Sequence, residues 1–244
     1  MKTARKTAKP LPSPANQKRD DARHKILEVA MELFYVQGYD KTTTRQIIQK
    51  AGILNGSLYH SFTNKEEIFK TIIVSAFRNA LEESEKLFPK TETIQDLITV
   101  ATFPIALELY AASKFKRAAE LLYQAHQSWT VLDGFIKVSI DWVAQHSTLF
   151  NPTENKRGFY ANTLAIMGAI GNLVGEFANT DDEIDYRASF RIGLEVFCTV
   201  FKYPIYALDE MVEKICNILE TNDIQIFEHM IKSDTQKQLM IDLA

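Results

Sequence analysis

The chain is expected to fold as an all-α protein, and three observations carry that expectation. Glycine (9) and proline (7), the residues that interrupt helices, are scarce over 244 residues. Apolar residues recur at helical spacing, as in the single stripe formed by Ile26, Ala30, Leu33 and Phe34. No strand-type alternation persists anywhere, and there is no internal repeat. With 46% hydrophobic and 24% charged residues, the composition is that of a soluble globular chain of one or two domains. No run approaches the roughly 20 apolar residues that span a bilayer. The basic N-terminus leads into LPSPAN where the apolar core of a secretion signal would sit, so a cytoplasmic protein with no membrane partner is expected. Cys198 and Cys216 lack metal-like spacing and are expected to be buried small hydrophobes.

Each element follows from local signals. Residues 1–19 hold six basic residues and three prolines and are expected to form a disordered basic tail. The first helix spans Asp20 to Gln37. Its two leading aspartates complement the helix dipole, and Gly38 supplies a left-handed stop. TTTRQIIQKAG opens a second helix, with Thr43 and Gln46 in capping-box spacing, Ile47 and Ile48 facing inward and Gly52 at the end. NGSLYHSF, residues 55–62, forms a helix of two turns. Leu58 and Phe62 anchor one side of it and leave Asn55, Ser57, His60 and Ser61 on others. A fourth helix starts at TNKEEIF, capped by Thr63 with Glu66 or Asn64 with Glu67, and Pro89 stops it. Longer helices are expected over about 92–111, 114–129, 132–147, 156–178, 183–202 and 206–220, with a shorter one near 222–233. SWTVLDG and STLFNPTENKRG read as turns, NTDDE as a cap, and Tyr203-Pro204 as a stop. Pro104 is expected to kink its helix.

Charge is unevenly spread. Residues 1–70 hold 13 Lys and Arg against 7 Asp and Glu, whereas the remainder holds 15 against 24. An electropositive end on an acidic body suits a modular nucleic-acid-binding protein. The first three helices, with the tight AGI link, form a helix-turn-helix, whose short third helix would lie in the major groove and reach phosphates and base edges.

Residues 26–73 resemble the DNA-binding domain of the tetracycline-repressor (TetR) family. The matching features are A-x-x-L-F, G-Y, T-T-x-R-x-I, A-G, G-S-L-Y-x-x-F and K-E-x, in order and at family spacing. The resemblance implies that Thr44 and Arg45 hold backbone phosphates. It implies further phosphate contacts from the Tyr59 hydroxyl and Lys65, and close backbone approach at Gly56. Ser57 and His60 would read base edges, with Asn55 nearby. The competing assignments are a core role for the Tyr59 ring and a plain surface role for His60 and Lys65. One departure stands out: the family usually has Ser or Thr at the position of Leu54 and often a basic residue at that of Asn55. Here the cap is expected to move to Asn55, with more of the affinity resting on Lys65, Arg45 and the tail.

Two stripes mark the large remainder: Phe159, Thr163, Met167, Ile170, Val174 and Phe177, and then Tyr186, Phe190, Leu194, Phe197 and Phe201. Gly168, Gly171 and Gly175 each cost a helix about 1 kcal/mol relative to alanine, which suggests close helix approach. The resemblance implies that these two helices pair across a two-fold axis, so Ile170, Val174, Phe177, Phe190, Leu194 and Phe197 are candidates for a homodimer interface. An ordinary intramolecular helix pair is the alternative. The resemblance also implies a small-molecule pocket in the aromatic-rich middle, with Phe103, Tyr110, Tyr123, His126, Trp129, Trp142 and Met167 as candidates and an apolar or aromatic effector. Plain core filling is the alternative for each ring.

Catalysis is not expected. No histidine stands three residues after a glutamate, as di-iron sites in helical bundles require. There is no P-loop, G-x-G-x-x-G, G-x-S-x-G or His-Glu-x-x-His, and no metal or cofactor is implied. The expected organisation is a tail (1–19), a helix-turn-helix domain (20–66) and a helical regulatory domain (67–244). The implied function is a ligand-responsive transcriptional regulator, a repressor that releases a palindromic operator. The alternative is a DNA-binding protein whose helical domain contacts a protein.

Overall fold

The computed structural model describes residues 14–89, 92–146, 156–204 and 207–222, which form ten α-helices and no strand. They are α1 Pro14–Gln37, α2 Thr44–Ala51, α3 Asn55–Ser61, α4 Lys65–Leu87, α5 Ile94–Lys114, α6 Lys116–Gln127, α7 Trp129–Gln145, α8 Lys156–Asn179, α9 Tyr186–Phe201 and α10 Leu208–Thr221. The all-α expectation holds.

Several boundaries differ from the sequence expectation. The first helix starts at Pro14, six residues early, and proline is at home in a first turn. Residues 1–13 of the expected tail, the first nine residues of STLFNPTENKRG (147–155) and the expected helix beyond residue 222 lie outside the described residues. SWTVLDG is not a turn: only Ser128 breaks the chain, and its hydroxyl caps α7. Gly134 is a packing glycine inside that helix. A Cβ there would fall 2.5 Å from Val74 Cγ2, so the missing side chain lets α7 approach α4.

α5 is buried along most of its length, from Leu97 to Ala112. Contrary to expectation, it is long and apolar enough to cross a membrane by length and composition; 72% of its most apolar window is buried inside the protein. Pro104 sits within it and removes one N–H, so the Val100 carbonyl loses its helical donor. The buried Ser84 hydroxyl of α4 stands 3.1 Å from that oxygen and shares its one proton between it and the Leu81 carbonyl at 2.7 Å.

Two cores result. One gathers α5, α8, α9 and α10 with the end of α4 and parts of α6 and α7; Cys198 and Cys216 are buried in it as free thiols. The other joins Ile26, Phe34, Ile47, Leu58, Phe62 and Phe69 to Leu121, Val131, Phe135 and Met167. The first three helices are therefore packed onto the helical body through α4 and through a direct contact of α1 with α6. The expected boundary at residue 66 falls in the first turn of α4, a helix continuous to Leu87.

Candidate nucleic-acid interface and effector cavity

The turn before α2 is built by side chains. Thr42 is buried and donates to the Gly38 carbonyl at 2.8 Å. Thr43 caps α2: its hydroxyl accepts from Gln46 N–H at 3.2 Å, and Gln46 Oε1 accepts from Thr43 N–H at 2.8 Å. The expected capping box is therefore present. Gln37, at the end of α1, donates to both Thr42 Oγ1 and Gln46 Oε1 and ties the two helices together. Thr44 is the first residue of α2 and half-buried, while Arg45 is exposed.

Gly52 ends α2 in the left-handed region (φ 62, ψ 37), with its N–H and that of Ile53 returned to Gln49 and Ile48 carbonyls. The chain then turns directly into α3. Seven residues are too few for a helix to stand alone, and α3 is held from below. Leu58 is fully buried, as is Phe62 beyond its end, among residues of α1, α2 and α4. Arg23 adds a brace: its Nη1 donates to Ser61 O at 3.0 Å while the guanidinium lies 4.3 Å from the Phe62 ring centre. Arg23 was not singled out from sequence, although it stands one turn before Ile26.

What remains outward is the candidate interface. Asn55, Gly56, His60 and Tyr59 (58%) are exposed, and Ser57 is half-buried. Nothing lies within 4 Å of where a Gly56 side chain would begin, so packing inside the chain does not demand glycine there. The competing core role for the Tyr59 ring is ruled out by its exposure. The cap of α3 is Leu54, without a side-chain hydrogen bond, and not Asn55, which is the first helical residue.

Lys65, expected to contact a phosphate, also has partners inside the chain. Its ammonium donates to Tyr39 O at 2.8 Å and stands 4.0 Å over the Tyr39 ring. Burial lowers its pKa, with Asp40 pulling the other way. Asn64 caps α4 through Glu67 N–H at 2.8 Å, the second of the two expected alternatives. The Thr63 N–H and hydroxyl both reach Glu67 Oε2, and the backbone bond leads in holding that carboxyl below its usual range.

Beside Lys65, Glu66 points the other way, to the start of α7. Its Oε1 accepts from Thr130 Oγ1 at 2.8 Å and from Ser128 Oγ at 3.2 Å. This link between the helix-turn-helix and the helical body had no recognised sequence signal, because residues 128–130 read as a turn.

A cavity of about 40 Å³ lies between α4, α5, α7, α8 and α9, lined among others by Phe77, Leu81, Ile105, Trp142, Met167 and Phe197. Of the seven candidate pocket residues, only Trp142 and Met167 line it. Phe103 packs edge-on to Phe88, and Tyr110 to Tyr186. Tyr123 and His126 fill the space left by Gly175 and Gly171. Trp129 is 59% exposed.

The dimer candidates Ile170, Val174, Phe177, Phe190, Leu194 and Phe197 are all buried in the chain's own core. Of the three glycines, two bring α8 onto α6: a Cβ at Gly171 would meet His126 Cβ at 2.7 Å, and one at Gly175 would meet the Tyr123 ring at the same distance, whereas nothing lies within 4 Å of one at Gly168. The outward sides of α8 and α9 carry Ala165, Gly168 and Asn172, and Ala188, Ile192 and Thr199.

His126 is also half of a buried pair, with Nε2 2.7 Å from Glu108 Oε1. Desolvation pulls its pKa down, but the Glu108 charge and hydrogen bond carry it above the usual value. Among the described residues, no group of three or more His, Cys, Asp or Glu could hold a metal.

Residues 26–72 match the family described as bacterial regulatory proteins, tetR family. The chain is 51% identical over 51 residues to the HTH-type transcriptional regulator YxaF of Bacillus subtilis (strain 168), an alignment covering 20% of this chain and 27% of that protein. It is 30% identical over 119 residues to the HTH-type transcriptional repressor KstR2 of Rhodococcus jostii (strain RHA1), covering 47% of this chain and 54% of that one. The chain thus spans about a quarter and about half of these relatives' lengths. Among solved structures, SmeT, the repressor of the Stenotrophomonas maltophilia multidrug efflux pump SmeDEF, superposes with a TM-score of 0.51 at 16% identity, over 76% of this chain and 92% of that one. That last likeness is one of fold.

Proposed function

Because the chain belongs to the tetR family of bacterial regulatory proteins, we propose that it is a homodimeric, effector-responsive regulator of transcription that acts in the cytoplasm and represses by occupying a palindromic operator. The observation that carries the reading is α3: a helix too short to fold alone, braced by Leu58, Phe62 and Arg23, with Asn55, Gly56, Tyr59 and His60 turned outward. In this reading Thr44, Arg45 and Tyr59 hold phosphates, and Ser57, His60 and Asn55 face base edges. Gly56 lets the backbone approach the duplex. An ammonium has three donors, so Lys65 can serve the Tyr39 carbonyl and a phosphate together. The unit proposed for DNA is residues 20–66, and that for regulation 67–244.

The effector is proposed to enter the cavity under Trp142 and Met167. About 40 Å³ holds a few waters, against roughly 300–1,000 Å³ for a drug-sized site. The effector-bound form is therefore an expanded one. Phe77 and Leu81 of α4 line this cavity, and α4 also carries the helix-turn-helix, so expansion tilts α4 and changes the spacing of the two α3 helices. A ligand with different affinity for the two forms shifts the population. A second reading, in which the helical body binds a protein, is favoured by the small cavity and the exposed Trp129.

Selection of bound sites from random duplex DNA tests the core of the proposal. The expected outcome is a two-fold-related pair of half-sites, about 34–36 Å or a multiple apart. Enrichment of a single half-site, or of nothing, sinks it.

A further inference from the structure

Leu54 is the most exposed large hydrophobic residue on the described surface, at 80%. It occupies the N-cap of α3 with extended backbone (φ −76, ψ 149). A capping oxygen would satisfy a helix N–H there; leucine has none, and the Ser57 N–H turns to the Leu54 backbone oxygen at 2.9 Å. The chain therefore forgoes a cap and leaves an apolar side chain in water at one position, the entry to the helix that the proposed function places in the major groove. Asn55, Gly56 and Tyr59 beside it are exposed as well. The floor of a major groove offers one apolar group, the C5-methyl of thymine; the other edge features are hydrogen-bond donors and acceptors.

We infer that Leu54 is a specificity-determining residue that packs against a thymine methyl in each half-site. The inference rests on the DNA-binding reading and adds a base to it. It differs in kind from the contacts assigned to Ser57 and His60, because it involves no hydrogen bond and is blind to the rest of the base pair.

Deoxyuridine provides the test, since it removes the methyl and keeps every hydrogen-bonding group of thymine. A site enriched by the wild-type protein is synthesised with each thymine in turn replaced by deoxyuridine, and affinities are measured for wild type, Leu54→Ala and Leu54→Met. Wild type is expected to lose about four-fold per half-site at one position, the factor that follows from about 0.8 kcal/mol per buried methylene-sized group. Leu54→Ala should bind the thymine and uracil duplexes alike there, and Leu54→Met should keep the discrimination. An exposed position makes both variants foldable, which helical circular dichroism verifies. An enriched site at which no thymine methyl matters, or matters equally to Leu54→Ala, overturns the contact alone. Failure to enrich any sequence overturns the DNA reading and the contact with it.

Discussion

Lys65 serves two partners that pull it in different directions. The Tyr39 carbonyl and ring hold it inside the helix-turn-helix, whereas the proposed phosphate would draw it outward. Lys65→Ala is expected to weaken binding to all sequences alike and to flatten the salt dependence by about one counterion per subunit. It should also lower thermal stability, because the Tyr39 carbonyl loses its donor, at roughly 1–3 kcal/mol if that oxygen stays dry. Anisotropy titrations at three salt concentrations with a melting curve separate the two effects; an unchanged salt slope removes Lys65 from the interface. At this scale the sequence was informative where one residue's chemistry decides. The Thr43–Gln46 box and the Asn64 cap were legible because each is a contact within three residues, and the inward Leu58 because Phe62 repeats it one turn on. Arg23 and the internal bond of Lys65 were not, since each depends on a carbonyl 38 or 26 residues away.

Between elements, the bond from Glu66 to Ser128 and Thr130 joins the first turn of α4 to the first turn of α7. Neither end is placed on DNA. If α4 transmits the regulatory state, the two ends should influence operator affinity as a unit. Glu66→Ala and Thr130→Ala are each expected to shift affinity, and the double variant to shift it by less than the sum, with a coupling of about 0.5–3 kcal/mol typical of residues in contact. Strict additivity would show that the bond plays no part in the coupling. The helices themselves were legible to within a few residues from apolar spacing. Gly134, Gly171 and Gly175 were visible as unusual, but their partners were not: a glycine inside a helix announces that something comes close without saying what. Hence Gly134 read as a turn, and the α8 glycines as a subunit contact.

For the whole molecule, the Glu108–His126 pair links stability to pH. Its folded pKa lies above the unfolded value of about 6.5, so the stabilisation is complete below that value and is lost as pH rises through the folded pKa. Each unit of separation is worth about 1.4 kcal/mol. Unfolding midpoints should therefore fall between mildly acidic and alkaline pH in the wild type and stay flatter in His126→Gln; parallel profiles would refute the linkage. Effector choice and subunit pairing were the least legible features, because both depend on surfaces, and apolar stripes such as Phe190, Leu194 and Phe197 look the same in sequence whether they face a core or a partner.

The close seating of α8 on α6 has one more consequence. No α6 side chain reaches the cavity, and α8 cannot recede because Gly171 and Gly175 already bring it against His126 and Tyr123. In the proposed reading a guest therefore displaces the remaining walls, Phe77 among them, and about 18 Å of continuous helix, at 1.5 Å per residue, joins that residue to Lys65 in the first turn of α4.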